Sequence, residues 1–234
     1  MKAPAIDIFG KVFDSTMLAF GVGRVLPGNY GSRNARHKVG IMSEKQLKLF
    51  GGGGTTLPEG FRYQPDVLSP NEEHELLERV RELPFKEFQF QGYVGKRRVV
   101  SFGWQYDFNE RALRKADDMP PFLLSLRETA AAFAGMSPAQ LQQVLVTEYD
   151  AGAGIGWHRD KAIFGEVIGI SLVSACRFRL RRKVGSTWER AAIIAQPRSA
   201  YLLSGPARSE WEHSIPEVDT LRYSVTFRNF RSAG

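Results

Sequence analysis

The spacing of apolar side chains changes period along this chain. Between Ser69 and Pro84 it is helical: Leu76, Leu77 and Val80 form one stripe, Ser69 is an N-cap and Pro70 suits the first turn. Glu72 and Glu73 follow where the helix dipole favours acids, and Leu83-Pro84 ends the segment. A second helix is expected over residues 122–133, where Leu123, Leu124 and Leu126 precede an alanine run. Between the two, residues 88–102 are rich in aromatic and β-branched side chains and read as strand–turn–strand with the turn at Gly95. After residue 140 short strands follow one another, over 143–149, 167–173, 177–182, 191–194, 200–203, 213–215 and 222–227, with Gly, Pro and Ser between them. Such spacing predicts an antiparallel sandwich or barrel, with helices first and the β-sandwich afterwards.

Residues 1–50 show no sustained periodicity, and Gly51-Gly52-Gly53-Gly54 closes them as a linker. Residues 1–54 are therefore expected to be a disordered extension, and 55–234 a single domain. The apolar segment 17–26 is not read as a signal-peptide core, because Asp7 and Asp14 precede it and Gly21, Gly23 and Arg24 interrupt it. Met42 is an alternative start, in which case residues 1–41 would not belong to the native protein.

The chain has 234 residues and a formal charge of +7, of which residues 1–50 supply +5 (eight Lys/Arg against three Asp/Glu), leaving +2 for the rest. Net charge is thus weak evidence for a polyanion partner. A single cysteine, Cys176, excludes an internal disulfide framework and a cysteine-rich zinc site. No segment approaches the roughly 18 consecutive apolar residues of a membrane span. A cytoplasmic monomer is the expectation, with no membrane association.

Of four histidines, His37 falls in the extension and His74 lies among glutamates on the first helix, where both read as solvated. His158-Arg159-Asp160 places an imidazole and a carboxylate two residues apart, on one face if the chain is extended. With His213 alongside, two imidazoles and one carboxylate would make the facial triad of non-haem Fe(II) oxygenases. By itself His-x-Asp is a common tripeptide and more often structural. The closing strand adds to it: Arg222, Ser224, Thr226 and Arg228 share one face, and guanidinium groups aimed into a partly dry cavity call for an anion such as a dicarboxylate. The stretch from Tyr149 to His158, with Gly152, Gly154 and Gly156, mounts the first histidine after a glycine-rich turn.

His158-Arg159-Asp160, His213 53 residues after the aspartate, and the strand from Arg222 to Arg228 together resemble the AlkB family of Fe(II)- and 2-oxoglutarate-dependent dioxygenases. Ile170-Ser171-Leu172, Leu203-Ser204-Gly205-Pro206 and Trp211-Glu212-His213-Ser214-Ile215 carry the likeness further, over about residues 57–231. The resemblance implies a mainly β, α+β fold of the double-stranded β-helix (jelly roll) type. It also implies Fe(II) held by the catalytic ligands His158, Asp160 and His213, with 2-oxoglutarate and O2 as cosubstrates. Arg222 would clamp the distal carboxylate of 2-oxoglutarate, Tyr149 and Thr226 would hydrogen-bond it, and Arg228 would sit near Asp160. Where the family often has Asn two residues before the tyrosine, this chain has Thr147. The implied reaction is oxidative dealkylation, in which a hydroxylated N-methyl group leaves as formaldehyde.

The segment 92–103 resembles the family's substrate lid. Its aromatic and cationic residues, Tyr93, Lys96, Arg97, Arg98 and Phe102, with Tyr106 at the rim, would hold a flipped base and its phosphates in alkylated DNA or RNA. A hairpin with a solvated basic turn and a core Phe102 is the alternative. Arg177, Arg179 and Arg181 alternate with Phe178 and Leu180 into a basic strand face, which is either solvated or tracks a backbone. Trp104, Trp157, Trp188 and Trp211 are assigned to core packing, and Cys176 to a small core position. The remaining readings are the same chemistry on a protein or small molecule, and a non-catalytic β-sandwich binding module.

Overall fold

The computed structural model describes residues 56–90, 93–107 and 112–231. The expectation of a disordered extension over 1–54 lies outside the described residues. Strand β1 (Phe61–Gln64) comes first, then helix α1 (Pro70–Val80). The helix starts in a capping box: the Ser69 hydroxyl accepts from the Glu72 N–H at 3.2 Å, and the Glu72 carboxylate accepts from the Ser69 N–H at 2.7 Å. Strands β2 (Lys86–Phe90), β3 (Tyr93–Phe102), β4 (Trp104–Asp107) and β5 (Ala112–Lys115) precede α2 (Phe122–Ala134), which ends on Gly135 in the left-handed conformation (φ 74°). Then come β6 (Gln143–Tyr149), β7 (Ile155–His158), β8 (Phe164–Leu172), β9 (Cys176–Val184), β10 (Thr187–Ala195), β11 (Ser199–Leu203), a short α3 (Gly205–Ser209), β12 (Glu212–Ile215) and β13 (Arg222–Phe230).

All pairings are antiparallel. A seven-stranded sheet runs β1-β11-β8-β13-β6-β3-β2 and a four-stranded sheet runs β10-β9-β12-β7, with β4-β5 as a separate hairpin. Facing sheets of this kind are the double-stranded β-helix. The strict alternation of β13 explains the layering: Tyr223, Val225 and Phe227 pack with Leu76, Val80, Leu123 and Leu126 of the helices. The opposite face of the large sheet meets the small one, where Phe178, Leu180, Tyr201, Leu203 and Ile215 form a second core.

Two expectations need correction. Helices and sandwich are not segregated along the chain, because β1, β2 and β3 all belong to the large sheet. Gly95 is not a turn; it lies within β3 opposite Phe88, and the break falls between Phe90 and Tyr93. Local propensity marked a glycine there, but pairing with β2 overrode it.

Candidate active site

His213 in β12 is directly opposite His158 at the end of β7, so pairing of the small sheet brings together two residues distant in sequence. Their rings lie 4.2 Å apart between centroids, at 56°. Asp160 lies two residues beyond His158, just past the end of β7, and its carboxylate joins the two imidazoles. Asp160 Oδ2 is 3.6 Å from His213 Nε2, and ligand atoms of all three residues lie within 4.8 Å of one another.

The surroundings prepare these groups to be ligands. His158 Nδ1 is 2.9 Å from the Gly156 carbonyl; as its donor it leaves Nε2 with a free lone pair. Burial, then the adjacent His158, push the His213 pKa down to about 3, so its imidazole is neutral. Burial likewise lowers that of His158. For Asp160 burial acts to raise the pKa, but the Arg228 guanidinium and the two histidines outweigh it and hold the carboxyl well below its usual range. Arg228 donates from Nε and Nη2 to Oδ1 of Asp160, at 2.8 and 2.7 Å, and from Nη1 to Gln143 Oε1 at 2.8 Å. One carboxylate oxygen is thereby occupied, and the other faces His213. Two neutral imidazoles and one monodentate carboxylate, grouped on one side, fit a ferrous ion.

Behind the triad, Arg222 is fully buried, and its Nη1 and Nη2 have no hydrogen-bond partner. Its Nε donates to Ser171 Oγ at 3.2 Å, and its guanidinium lies 5.0 Å from the centre of the Tyr149 ring. A buried cation with an unused two-pronged donor is a site for a carboxylate. Tyr149, Thr147, Ser224 and Thr226 line the cavity in front of it, with Ser224 Oγ and Thr226 Oγ1 3.4 Å apart. The residues present therefore fit 2-oxoglutarate as well as the metal. Arg222, Thr226 and Arg228 share the inward face of β13, with Tyr149 opposite Arg222 on β6.

The cavity, about 670 Å³, opens from the triad toward β2, β3 and β4. Arg97 reaches into it with its guanidinium 3.8 Å from the centre of the Phe88 ring, and burial lowers its pKa. Tyr106 is on the rim, with Lys161 Nζ 5.0 Å from its ring centre. Two expected substrate contacts, Arg98 and Lys96, are elsewhere. Arg98 is on the opposite face of β3, bonded to Glu148 at 2.6 Å and placed over Phe85. Phe102 is 6% exposed and packs with the helix-facing core, where it follows Arg98 and Val100 in the alternation, and it also contributes to the cavity lining. Lys96 is exposed, 3.8 Å from Glu217, and is not part of the cavity lining. The side chain of Tyr93 lies outside the described residues.

Ser171, Gln143, Phe88, Lys161 and Tyr201 join the site although no role in it was assigned to them from the sequence. The first two became visible only through register, Ser171 opposite Ser224 and Gln143 opposite Arg228. Trp157 and Trp188 are not core residues; each supports a guanidinium on the outer face of the small sheet, whereas Trp211 is buried.

Residues 60–228 match the model of the 2OG-Fe(II) oxygenase superfamily. The chain is 28% identical over 195 residues to "Alkylated DNA repair protein ALKBH8 homolog" of Arabidopsis thaliana, a match covering 71% of this chain and 54% of that protein, so it spans about half of the relative's length. It is 25% identical over 188 residues to an uncharacterized protein of Acanthamoeba polyphaga mimivirus, covering 73% and 84% of the two chains. Among solved structures, that of OsALKBH1 superposes with a TM-score of 0.57 at 16% identity, covering 74% of this chain and 98% of that one. A prolyl-4-hydroxylase of Pseudomonas putida superposes with a TM-score of 0.50 at 11% identity, covering 74% and 94%, and shares the fold. With its histidine–aspartate–histidine cluster and orphaned buried arginine fitting Fe(II) and 2-oxoglutarate, the chain belongs to the 2OG-Fe(II) oxygenase superfamily.

Proposed function

We propose that this enzyme removes N-alkyl groups oxidatively from bases of DNA or RNA. The observation that carries the reading is the cavity over the triad, walled by an aromatic ring under a guanidinium (Phe88 and Arg97) and rimmed by Tyr106 and Lys161. A flat, polar-edged base fits between such surfaces, and flipping it from its stack presents an alkyl group to the metal. The relative named as an alkylated DNA repair protein supports the same substrate class.

In this reading each side chain has a defined task. Bound iron and 2-oxoglutarate supply the oxidising chemistry for a C–H bond. His158, Asp160 and His213 hold the metal on one side, and Arg228 keeps Asp160 ionised with one oxygen free. Arg222 fixes the cosubstrate through its distal carboxylate, with Tyr149 and Thr226 beside it. Arg97 and Phe88 orient the base.

The test is formaldehyde release from N-methylated oligonucleotides, with methylated proteins and free nucleosides in parallel, in the presence of Fe(II) and 2-oxoglutarate. Release from an oligonucleotide, stoichiometric with succinate, is expected. Release from a protein or free nucleoside alone would replace the nucleic-acid assignment with another substrate, while the dioxygenase itself stands.

A further inference from the structure

The outer face of the small sheet carries a concentration of charge that the site does not use. Cross-strand pairing puts Arg177, Arg179, Arg181 and Lys183 of β9 on this face together with Arg190 of β10, whose partner is Arg181. The one carboxylate that these strands add to the same face is Glu212, at 2.6 Å from Arg181. Five cations therefore meet one anion. Among the described residues, Arg177, Arg179, Lys183 and Arg190 have no ion-pair partner.

Tryptophans are interleaved with the cations. The Arg181 guanidinium lies between Trp157 and Trp188, 4.4 and 4.3 Å from their ring centres, and Arg179 is 4.9 Å from Trp157. Indole support of this kind holds a planar guanidinium flat, and Arg177, Lys183 and Arg190 are the exposed cations beside the supported pair. Burial and repulsion from Arg177 and Arg181 lower the pKa of Arg179, as crowding of like charges requires. On an antiparallel strand the outward residues recur every roughly 6.8 Å, giving a regular row of cations rather than a point.

The row is also close to the chemistry. His213 lies between Glu212 and Ser214 in β12 and His158 follows Trp157 in β7, so the residues that hold the metal and those that build the basic face alternate on the same strands. β7 is an edge strand of the sheet. Ile155 and His158 of this strand line the cavity, while Trp157 between them belongs to the outer face.

We propose that this face is a second polynucleotide contact, where the phosphate backbone flanking the target base lies along the arginine row and over the two indoles. An acidic protein would satisfy the charge, but it has less use for flat aromatic platforms interleaved with outward guanidinium forks, the combination that suits phosphates and bases together. The proposal rests on the nucleic-acid reading of the active site.

Its test measures binding apart from turnover. Anisotropy of a fluorescent, unmodified 20-nucleotide strand is titrated with the full chain from 50 to 200 mM salt, without iron or 2-oxoglutarate. The variant R177E/K183E/R190E alters positions that have no ion-pair partner, and W188A serves as a second. Each phosphate contact adds about 0.7 to the slope of log K against log salt for single strands, so the triple variant should flatten it by about 2 and weaken binding at least about tenfold at low salt. W188A should weaken binding by a smaller factor. Metal-dependent succinate formation without substrate should be unchanged in both, which shows that the fold and the iron site persist. Equal affinity and slope in wild type and triple variant would overturn the proposal. So would absence of oligonucleotide binding by the wild type alongside tight binding of polyglutamate, which would assign the face to an acidic protein. Loss of formaldehyde release from every methylated oligonucleotide, with salt-dependent binding intact, would instead strike the substrate reading and leave the surface.

Discussion

Replacing Arg222 by methionine should have opposite consequences with and without the cosubstrate. The guanidinium is fully buried with two unpartnered nitrogens, and an uncompensated buried ion costs several kcal/mol. Its bond to Ser171 at 3.2 Å offsets about 1.5–3 kcal/mol of this. The Tyr149 ring, 5.0 Å away, offsets about 2 kcal/mol more. The sum is close to zero, so Arg222→Met, which keeps most of the volume, should leave the ligand-free fold within about 1 kcal/mol of wild type or slightly more stable. Alanine would confuse the result by opening a cavity. In wild type, 2-oxoglutarate at 100 times its Kd should add about 2.7 kcal/mol. At about 2–4 °C per kcal/mol for a chain of this size, that is a Tm increase of about 5–11 °C. The methionine variant should show almost none of this increase. Thermal unfolding with Mn(II) in place of iron, with and without 2-oxoglutarate, reads both arms. A variant that loses more than about 3 kcal/mol without ligand would make Arg222 a structural keystone; one that keeps the full ligand-dependent shift would refute the clamp.

Other consequences follow from the same geometry. Asp160→Asn should abolish metal-dependent succinate formation and destabilise the ligand-free chain by about 3–5 kcal/mol, because Arg228 would lose the carboxylate that balances it; chemical denaturation measures the second effect. Arg97→Ala should lower kcat/KM for a methylated oligonucleotide by about tenfold or more, the equivalent of about 1.4 kcal/mol, while succinate formation without substrate stays near wild type. An equal fall in both activities would place Arg97 in the cosubstrate site instead. The Tyr223 hydroxyl is pushed up to about 12 by burial and by its bond to the Glu148 carboxylate. A raised folded-state pKa gives stability that is complete below the unfolded value near 10 and is lost as pH rises toward 12, so Tyr223→Phe should flatten the alkaline limb of stability in that window. Gly169→Ala would put a Cβ 2.1 Å from Tyr201 Cζ in the packed interior between the sheets, and should lower stability by about 1–3 kcal/mol in thermal unfolding.

The nature of the site was legible in the sequence because its signals are local or ordered along the chain. Ser69 and Pro70 announced the first helix, and the alternation from Arg222 to Arg228 announced a strand with one polar and one apolar face. The histidine–aspartate–histidine order and the arginine strand sufficed for the resemblance. The lid was less legible for the same reason that β13 was clear. A period of two separates Arg97 from Arg98 and Phe102, but does not say which side is the cavity. β6 answers that question: Tyr149, opposite Arg97, turns toward the active site, and Val144, opposite Phe102, toward the helices.

The chain's own order of residues determined the types of ligand, the helix caps and the two-sidedness of the last strand, since each depends on neighbours a few residues apart. Pairing across long separations decided the rest. Opposition of His158 and His213, the partners Ser171 and Gln143, the core burial of Phe102 and the outward Arg–Trp row all arise from which strand lies beside which, and in what register. Those choices minimise exposed apolar surface over the whole domain, and no segment contains that sum by itself.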